Sequence, residues 1–315
     1  MRYLALIAAL GWLHQSTLAS ADSAVPPAAS YQALKAGELV QVPLQHLHPT
    51  QAVVGYAQIY YKLGRFSAEP NKLFDEYCET NGQGEAARVP AGAQISDPSS
   101  FECQQAVGSY PGEMKTVVVG PNGQLYLTDG HHTLTVLWEQ PGAGPAQKMW
   151  LRVTDNFSDS ADLAAFWQRM QDERKVWLQD GNGQPLSVAQ LPAQLGLNTL
   201  GNDPYRALVY FTREVAYDKP RSGSVAPEFL EFYWGQWLRG QLDLDNYDLA
   251  DKGSYRDALL AASRLMVAQP ADQPLGNTGF SAAQLGGYPA IDRKELGKTT
   301  QRKLTHVIRY KQAMK

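Results

Sequence analysis

Cysteine is almost absent from this chain: Cys78 and Cys103 are the only two in 315 residues. That scarcity argues against a catalytic thiol or a thiolate metal centre. A strong charge of one sign is also missing, with 28 basic residues set against 31 acidic ones. Whole-molecule attraction to nucleic acid or to an anionic membrane is therefore not indicated, and any polyanion binding must come from a local patch. No P-loop, Rossmann, zincin or serine-nucleophile pattern occurs, and there is no internal repeat. Beyond the first residues, no stretch is long and apolar enough to span a bilayer.

The first 21 residues read as a secretory signal peptide. Arg2 is their one charge, an apolar run extends from Tyr3 to Leu13, and Ala19, Ser20 and Ala21 offer small residues for cleavage after Ala21. The mature chain is then expected to be periplasmic or secreted, to carry 27 basic residues against 31 acidic ones, and to begin with a disordered Pro/Ala-rich leader over 22–30. In an oxidising compartment Cys78 and Cys103 pair, and closing that loop stabilises by roughly 3 kcal/mol in the chain-entropy model.

An apolar content of 44 % and seven tryptophans are ample for a large core. Leu39 to Leu44 reads as a strand ending near Pro43, and His46 to Pro49 as a turn. Thr50 is placed to cap a helix that carries Val53, Val54, Ala57 and Tyr61 inward, shows Gln51, Gln58 and Lys62 outward, and stops at Gly64. A second helix, Asn71 to Glu79, leads into a Gly/Pro-rich loop from Asn81 to Pro111. Lys148 to Val153 alternates as a half-buried strand. After Asp155 the pattern is mostly helical. Asp159 is placed to cap a helix bearing Leu163 to Trp177, Asp203-Pro204 opens one through Tyr217, and Pro227-Glu228 opens Phe229 to Leu238. Ser254 with Asp257 starts another, and the last covers about Thr300 to Lys311. The expected fold class is α+β, a mixed unit over 31–155 followed by a mainly α-helical extension over 156–315.

Chemistry concentrates between Lys115 and Glu139. There the β-branched run Val117 to Val119, the turn Pro121-Asn122-Gly123 and the run Leu125 to Leu127 predict a hairpin. From His131 the spacing of Leu134, Leu137 and Trp138 becomes helical, so Asp129-Gly130-His131-His132 falls where a strand turns into a helix. Such a junction presents free backbone N–H groups, and the helix dipole favours an anion there. His131 and His132 can hydrogen-bond a phosphate, act as acid or base near neutral pH, or ligate a metal. Adjacent helical residues point about 100° apart, which disfavours joint chelation of one ion. Asp129 can orient a histidine or cap the helix.

These residues carry a family likeness. Pro49-Thr50-Gln51, Val54-Gly55, Lys62, Lys115, Val117 to Gly120 and Tyr126 to Leu134 make the segment from about Leu39 to Val153 resemble the ParB/sulfiredoxin superfamily. The likeness is stronger to its exported branch, the ParB-like putative nucleases. In ParB proteins the equivalent turn is a Gly-Glu-Arg-Arg type sequence that grips nucleotide phosphates; in sulfiredoxins it is a Gly-Cys-His-Arg sequence that serves phosphoryl transfer. Here Gly130 aligns with the glycine, and His131 and His132 stand where those families place polar and basic residues. Thr133 lies near the position of ParB's second arginine, and the sulfiredoxin cysteine is missing. Neither the partitioning CTPase nor the sulfinic-acid reductase carries over.

The resemblance implies a phosphate-handling protein, a phosphodiesterase or nuclease. His131, His132 and Asp129 are its catalytic candidates, and Gly130, Thr133, Lys115 and Lys62 its ligand-binding candidates. A divalent metal is compatible with that chemistry without being demanded by it. The alternative is a non-catalytic envelope protein that uses the same turn for a nucleotide-like or other anionic ligand. His46, His48 and His306 are secondary candidates. The aromatic run Phe229, Phe232, Tyr233, Trp234 and Trp237 could form a stacking platform for bases or sugars, but it repeats at buried-helix spacing and reads as core. Arg293 to Lys315 holds eight basic residues against Asp292 and Glu295. It reads as a solvated helix face that could also meet a phosphate backbone.

Overall fold

The computed structural model describes residues 31–220 and 226–314; the expected signal peptide and leader, residues 1–30, lie outside them. In chain order the first elements are β1 (Leu39–Pro43), β2 (Leu47–Pro49), β3 (Val53–Val54), α1 (Tyr56–Ala68), α2 (Asn71–Thr80), β4 (Ala86–Arg88), β5 (Glu102–Cys103), β6 (Thr116–Val119), β7 (Leu125–Asp129), α3 (His131–Glu139) and β8 (Lys148–Asn156). They are followed by α4 (Leu163–Asp172), β9 (Gly201–Asn202), α5 (Pro204–Thr212), α6 (Leu230–Arg239), α7 (Lys252–Val267), α8 (Arg293–Lys298) and α9 (Leu304–Ala313).

Five strands form one mixed sheet in the order β1-β8-β6-β7-β2. β6 and β7 make the expected antiparallel hairpin, with Val117 opposite Leu127 and Val119 opposite Leu125. Because side chains alternate across a strand, Val117 and Val119 enter the main core while Val118 faces the other side. On that second side Val118 and Tyr126 meet Phe157, Phe166 and Met170. Both sheet faces are therefore covered at the hairpin, which explains its unbroken apolar runs.

Several boundaries differ from the sequence expectation. Leu47–Pro49 is an edge strand paired in parallel with β7 rather than a turn. Val53–Val54 is extended and pairs in parallel with β9, so α1 begins at Tyr56 and runs past Gly64 to Ala68. α1 buries two stripes. Ile59, Leu63 and Phe66 pack into the sheet core, and Ala57 and Tyr61 into a second core with α5, α6, α7 and α9. The supposed outer side of this segment is consequently buried as well, at Gln51 and Gln58. Gly55 is needed where α1 meets α5, since a Cβ there would fall 2.7 Å from the Ala207 Cα.

Cys78 and Cys103 form a disulfide between α2 and β5. The Gly/Pro-rich segment it closes carries the small β4–β5 hairpin, with Phe101 packed edge-on against Phe74 and Tyr77. In the helical part Asp162, not Asp159, caps α4, which ends before Trp177. Asp203 caps α5 as expected, accepting the Arg206 N–H at 3.0 Å, but α5 stops at Thr212. Asp251 caps α7. α8 and α9 are joined by a π-type turn over Thr299–Lys303, so the last helical stretch starts earlier than Thr300. No helix among the described residues is long and apolar enough to cross a membrane.

Candidate anion site at the start of helix α3

Strand β7 passes into α3 through Gly130, whose φ of +104° lies in the left-handed region. A Cβ at this position would sit 2.5 Å from the Lys115 side chain, so glycine is required on both counts. Gly130 is also the N-cap and provides no side-chain bond, which leaves the first-turn N–H groups of α3 without intrahelical partners.

His131 and His132 are 2 % and 8 % exposed. The Thr50 N–H donates to His131 Nε2 at 3.1 Å, and the Gly55 N–H donates to His132 Nε2 at 2.9 Å. Thr50 Oγ1 in turn donates to the Leu127 carbonyl at 2.7 Å. The two imidazoles thus satisfy backbone donors on either side of β3, which buried N–H groups need. A neutral imidazole that accepts at Nε2 carries its proton on Nδ1. Burial pushes His131 down to about 3 against a mild upward pull from Asp129. Burial, then Arg206, hold His132 well below the ordinary histidine range. Both rings are therefore held neutral near pH 7, with their Nε2 atoms occupied by backbone donors. What they can offer a ligand is an Nδ1–H donor.

Arg206 reaches the same place from α5. It is 5 % exposed, and its Nη1 donates to Gln58 Oε1 at 3.0 Å. Its Nη2 lies 3.5 Å from His132 Nδ1 and 3.7 Å from Glu231 Oε2, and its Nε has no hydrogen-bond partner among the described residues. Burial lowers the guanidinium to about 10, which leaves it charged near neutrality. Arg213 forms an ion pair with Glu231.

A cavity of about 140 Å³ opens between these groups, with Lys115, Asp129, Arg206, Arg213, Lys219 and Glu231 as its charged lining. Four cations face two carboxylates, and the partial positive charge of the α3 N-terminus adds to the excess. Burial opposes charge on Asp129, but Lys115, then Lys219, outweigh it and hold the carboxyl below its usual range. Neither histidine is hydrogen-bonded to Asp129 among the described residues, and Asp129 does not cap α3. The aromatic rings of Phe229 and Phe232 close the wall, with Arg206 5.4 Å from the Phe232 ring centre.

Of the residues expected at the site, Lys115, Asp129, Gly130, His131, His132 and Thr133 line the cavity. Lys62 is not among the lining residues. It pairs with Glu76, to which Thr133 Oγ1 also donates at 3.4 Å. Burial disfavours both charges of that pair, yet their mutual attraction raises the Lys62 ammonium and lowers the Glu76 carboxyl. His48 packs against Tyr126 at 5.4 Å and His306 lies 3.5 Å from Glu69; neither these nor His46 lines the cavity. Among the described residues no group of three or more His, Cys, Asp or Glu side chains is arranged to hold a metal ion.

Sequence reasoning missed Gln58, Arg206, Arg213, Lys219 and Glu231, and it preferred core packing to a stacking role for Phe229 and Phe232, which line the cavity. One signal was present: Arg206 interrupts the apolar face of a short helix, and Glu231 does so in an aromatic one. Two opposite charges on buried helical faces need each other or a ligand.

A family model described as "Putative ParB-like nuclease" matches residues 40–240. That span holds every residue lining the cavity. Among solved structures, protein Atu1540 from Agrobacterium tumefaciens aligns with a TM-score of 0.49 and 22 % identity, over 73 % of this chain and 93 % of that one. No curated protein matches the chain.

Proposed function

The chain belongs to the ParB-like putative nuclease family, and we propose that its cavity at the start of α3 binds the phosphate of a phosphodiester and positions it for hydrolysis. The observation that carries this reading is the meeting of two hydrogen-bond donors, His132 Nδ1–H and Arg206 Nη2, across 3.5 Å at the edge of a cationic cavity. Two donors cannot bond each other, so an acceptor between them would satisfy both. A phosphate oxygen is such an acceptor, and charge-assisted bonds from guanidinium to phosphate are among the strongest available.

In this reading the first-turn N–H groups of α3, the His132 Nδ1–H and Arg206 hold the non-bridging oxygens. Arg213, Lys219 and Lys115 oppose the negative charge that grows as the phosphorus is attacked. Among the described residues Asp129 is the cavity carboxylate without an arginine partner, and Lys115 and Lys219 help to keep its charge. It is the group suited to take a proton from the attacking water as the new P–O bond forms and the ester P–O bond breaks. His131 acts as a positioning residue that ties Thr50 to α3, and His132 adds the Gly55 tie through its Nε2 to its contact with the phosphate.

The alternative reading is a protein that binds an anion without cleaving it. The occupation of both imidazole Nε2 atoms favours this alternative, since it leaves Asp129 as the sole candidate base. We propose further that the mixed unit ending near 155 and the helical part after it act as one functional body. In support, Asp129 and His132 come from one, and Arg206, Arg213 and Glu231 from the other. Export is proposed from the N-terminal pattern, and the Cys78–Cys103 disulfide supports it.

The test uses the mature chain with inorganic phosphate, bis(p-nitrophenyl) phosphate and single-stranded DNA, each with and without divalent metals. Phosphate binding together with phosphodiester cleavage that Asp129→Asn removes supports the enzyme. Binding without cleavage under every metal condition leaves the anion-binding alternative. Failure to bind phosphate overturns both.

A further inference from the structure

A second charged depression joins residues inside the family-model match, on α1, to residues beyond its end at 240. It has a volume of about 400 Å³ and is bordered by Tyr61 and Arg65 of α1 and by Lys298, Arg302, Lys303 and His306 at the carboxy end. Its two carboxylates are both engaged. Glu69 lies 3.5 Å from His306 Nε2 and 4.0 Å from Arg65 Nε, and Glu295 pairs with Lys298. Arg302 is exposed, and neither it nor Lys303 has an ion-pair partner among the described residues. Both sit in the π-type turn Thr299–Lys303. Such turns interrupt regular α-helical bonding and recur at functional sites.

The depression and the α3 cavity each place a cation near the same aromatic ring. Lys303 Nζ lies 5.5 Å from the centre of Tyr210, and the Arg213 guanidinium lies 5.7 Å from the centre of the same ring. Arg213 lines the first cavity and Lys303 the second. Burial lowers the Lys303 ammonium, and Arg213 and Lys62 lower it further against the pull of Glu214. Arg213 and Lys62 are paired with Glu231 and Glu76, whereas Arg302 and Lys303 have no ion-pair partner among the described residues, and a negative chain laid across them would supply one.

We propose that the groove formed by α1 and the Thr299–Lys303 turn is a phosphate-backbone track that guides a single-stranded nucleic acid into the α3 cavity. The inference rests on the reading of that cavity as a phosphodiester site and names its substrate class as a polymer. The track's carboxy-terminal wall lies beyond residue 240, where the family-model match ends, while its α1 wall lies within that match. The track gives the basic carboxy-terminal segment a use other than solvation.

The experiment measures binding of a fluorescent twenty-nucleotide oligothymidylate across a salt series to the full mature chain, with inorganic phosphate titrated in parallel. The groove variant is Arg302→Ala with Lys303→Met, which keeps an apolar stem over Tyr210. A charge-matched control, Arg88→Ala with Lys148→Ala, removes two exposed cations of the mixed unit. The proposal expects the groove variant to bind the oligonucleotide on the order of tenfold more weakly, with a salt slope shallower by about 1.4 for two lost contacts. Phosphate affinity should stay unchanged, and the control should bind as the wild type does. Equal oligonucleotide binding by groove variant and control overturns the track, as does a wild type that binds no oligonucleotide. A wild type that fails to bind phosphate, while the groove variant still loses oligonucleotide affinity, overturns the cavity reading and leaves the track standing.

Discussion

His132 and Arg206 face each other as two donors: Nδ1 and Nη2 are 3.5 Å apart, while the Gly55 N–H occupies His132 Nε2 at 2.9 Å. The shorter bond decides the tautomer, because a neutral imidazole has a single acceptor nitrogen. Arg206 is left with a buried guanidinium face that the protein satisfies only in part. Its Gln58 bond and its 3.7 Å approach to Glu231 account for Nη1 and some of the charge, but not for Nε.

Removing that guanidinium should abolish much of the anion affinity. Arg206→Met is expected to weaken phosphate binding by about 10- to 100-fold, the equivalent of losing one hydrogen bond to a charged group. Calorimetric titration reads this directly. Arg206→Lys should not restore the affinity, since an ammonium cannot span Gln58 and the anion as the planar fork does.

The histidines should reveal themselves in stability and, for His132, in anion affinity as well. His132→Ala would leave the buried Gly55 N–H unsatisfied, at a cost of about 1–3 kcal/mol in denaturant unfolding. His132→Gln places a carbonyl oxygen near the Nε2 position and should recover part of that loss.

Their titration has a defined sign. In the fold His131 is held at about 3, whereas its ordinary value is 6.5. Between those values the unfolded chain binds the extra proton, so this histidine makes stability fall as pH drops through the window. Glu228 works in the opposite sense, because burial raises its carboxyl from 4.5 to about 7. The measurement therefore compares His131→Gln with wild type, where Glu228 cancels. The variant should lose less stability than wild type between pH 6.5 and pH 5, and identical pH profiles would contradict the buried, neutral His131.

Lys62 should separate from the site. It is paired with Glu76, and their side chains are 17 % and 12 % exposed. Lys62→Met leaves the Glu76 carboxylate buried and unpaired, which is expected to cost about 3 kcal/mol or more. Phosphate affinity should be unaltered in the protein that remains folded. A selective loss of phosphate binding would return Lys62 to the ligand-binding set.

Much of the framework was legible because it is local. The Val117–Val119 and Leu125–Leu127 runs, the glycine between them and α3, the change of period at His131 and the Cys78–Cys103 pair all lie within about sixty residues of one another. What stayed hidden is long-range. The partners of His131 and His132 are backbone N–H groups 81 and 77 residues earlier, and Arg206 arrives from 74 residues later. Val53 and Val54 were read as helical because their apolar spacing suits a helix too. Only pairing with Gly201–Asn202 makes them extended. Lys62 looked like a surface lysine because its helix is buried on two faces, which a single apolar stripe does not foretell.

The account's central claim is that His132 presents an Nδ1–H to an anion shared with Arg206. Nitrogen-15 NMR of the histidine rings, recorded from pH 8 to pH 5 with and without inorganic phosphate, tests it most directly. The predicted result is a neutral His132 with its proton on Nδ1 across the whole range, and a shift of that proton when phosphate is added. An imidazole that titrates near 6.5, or that carries its proton on Nε2, would contradict the account.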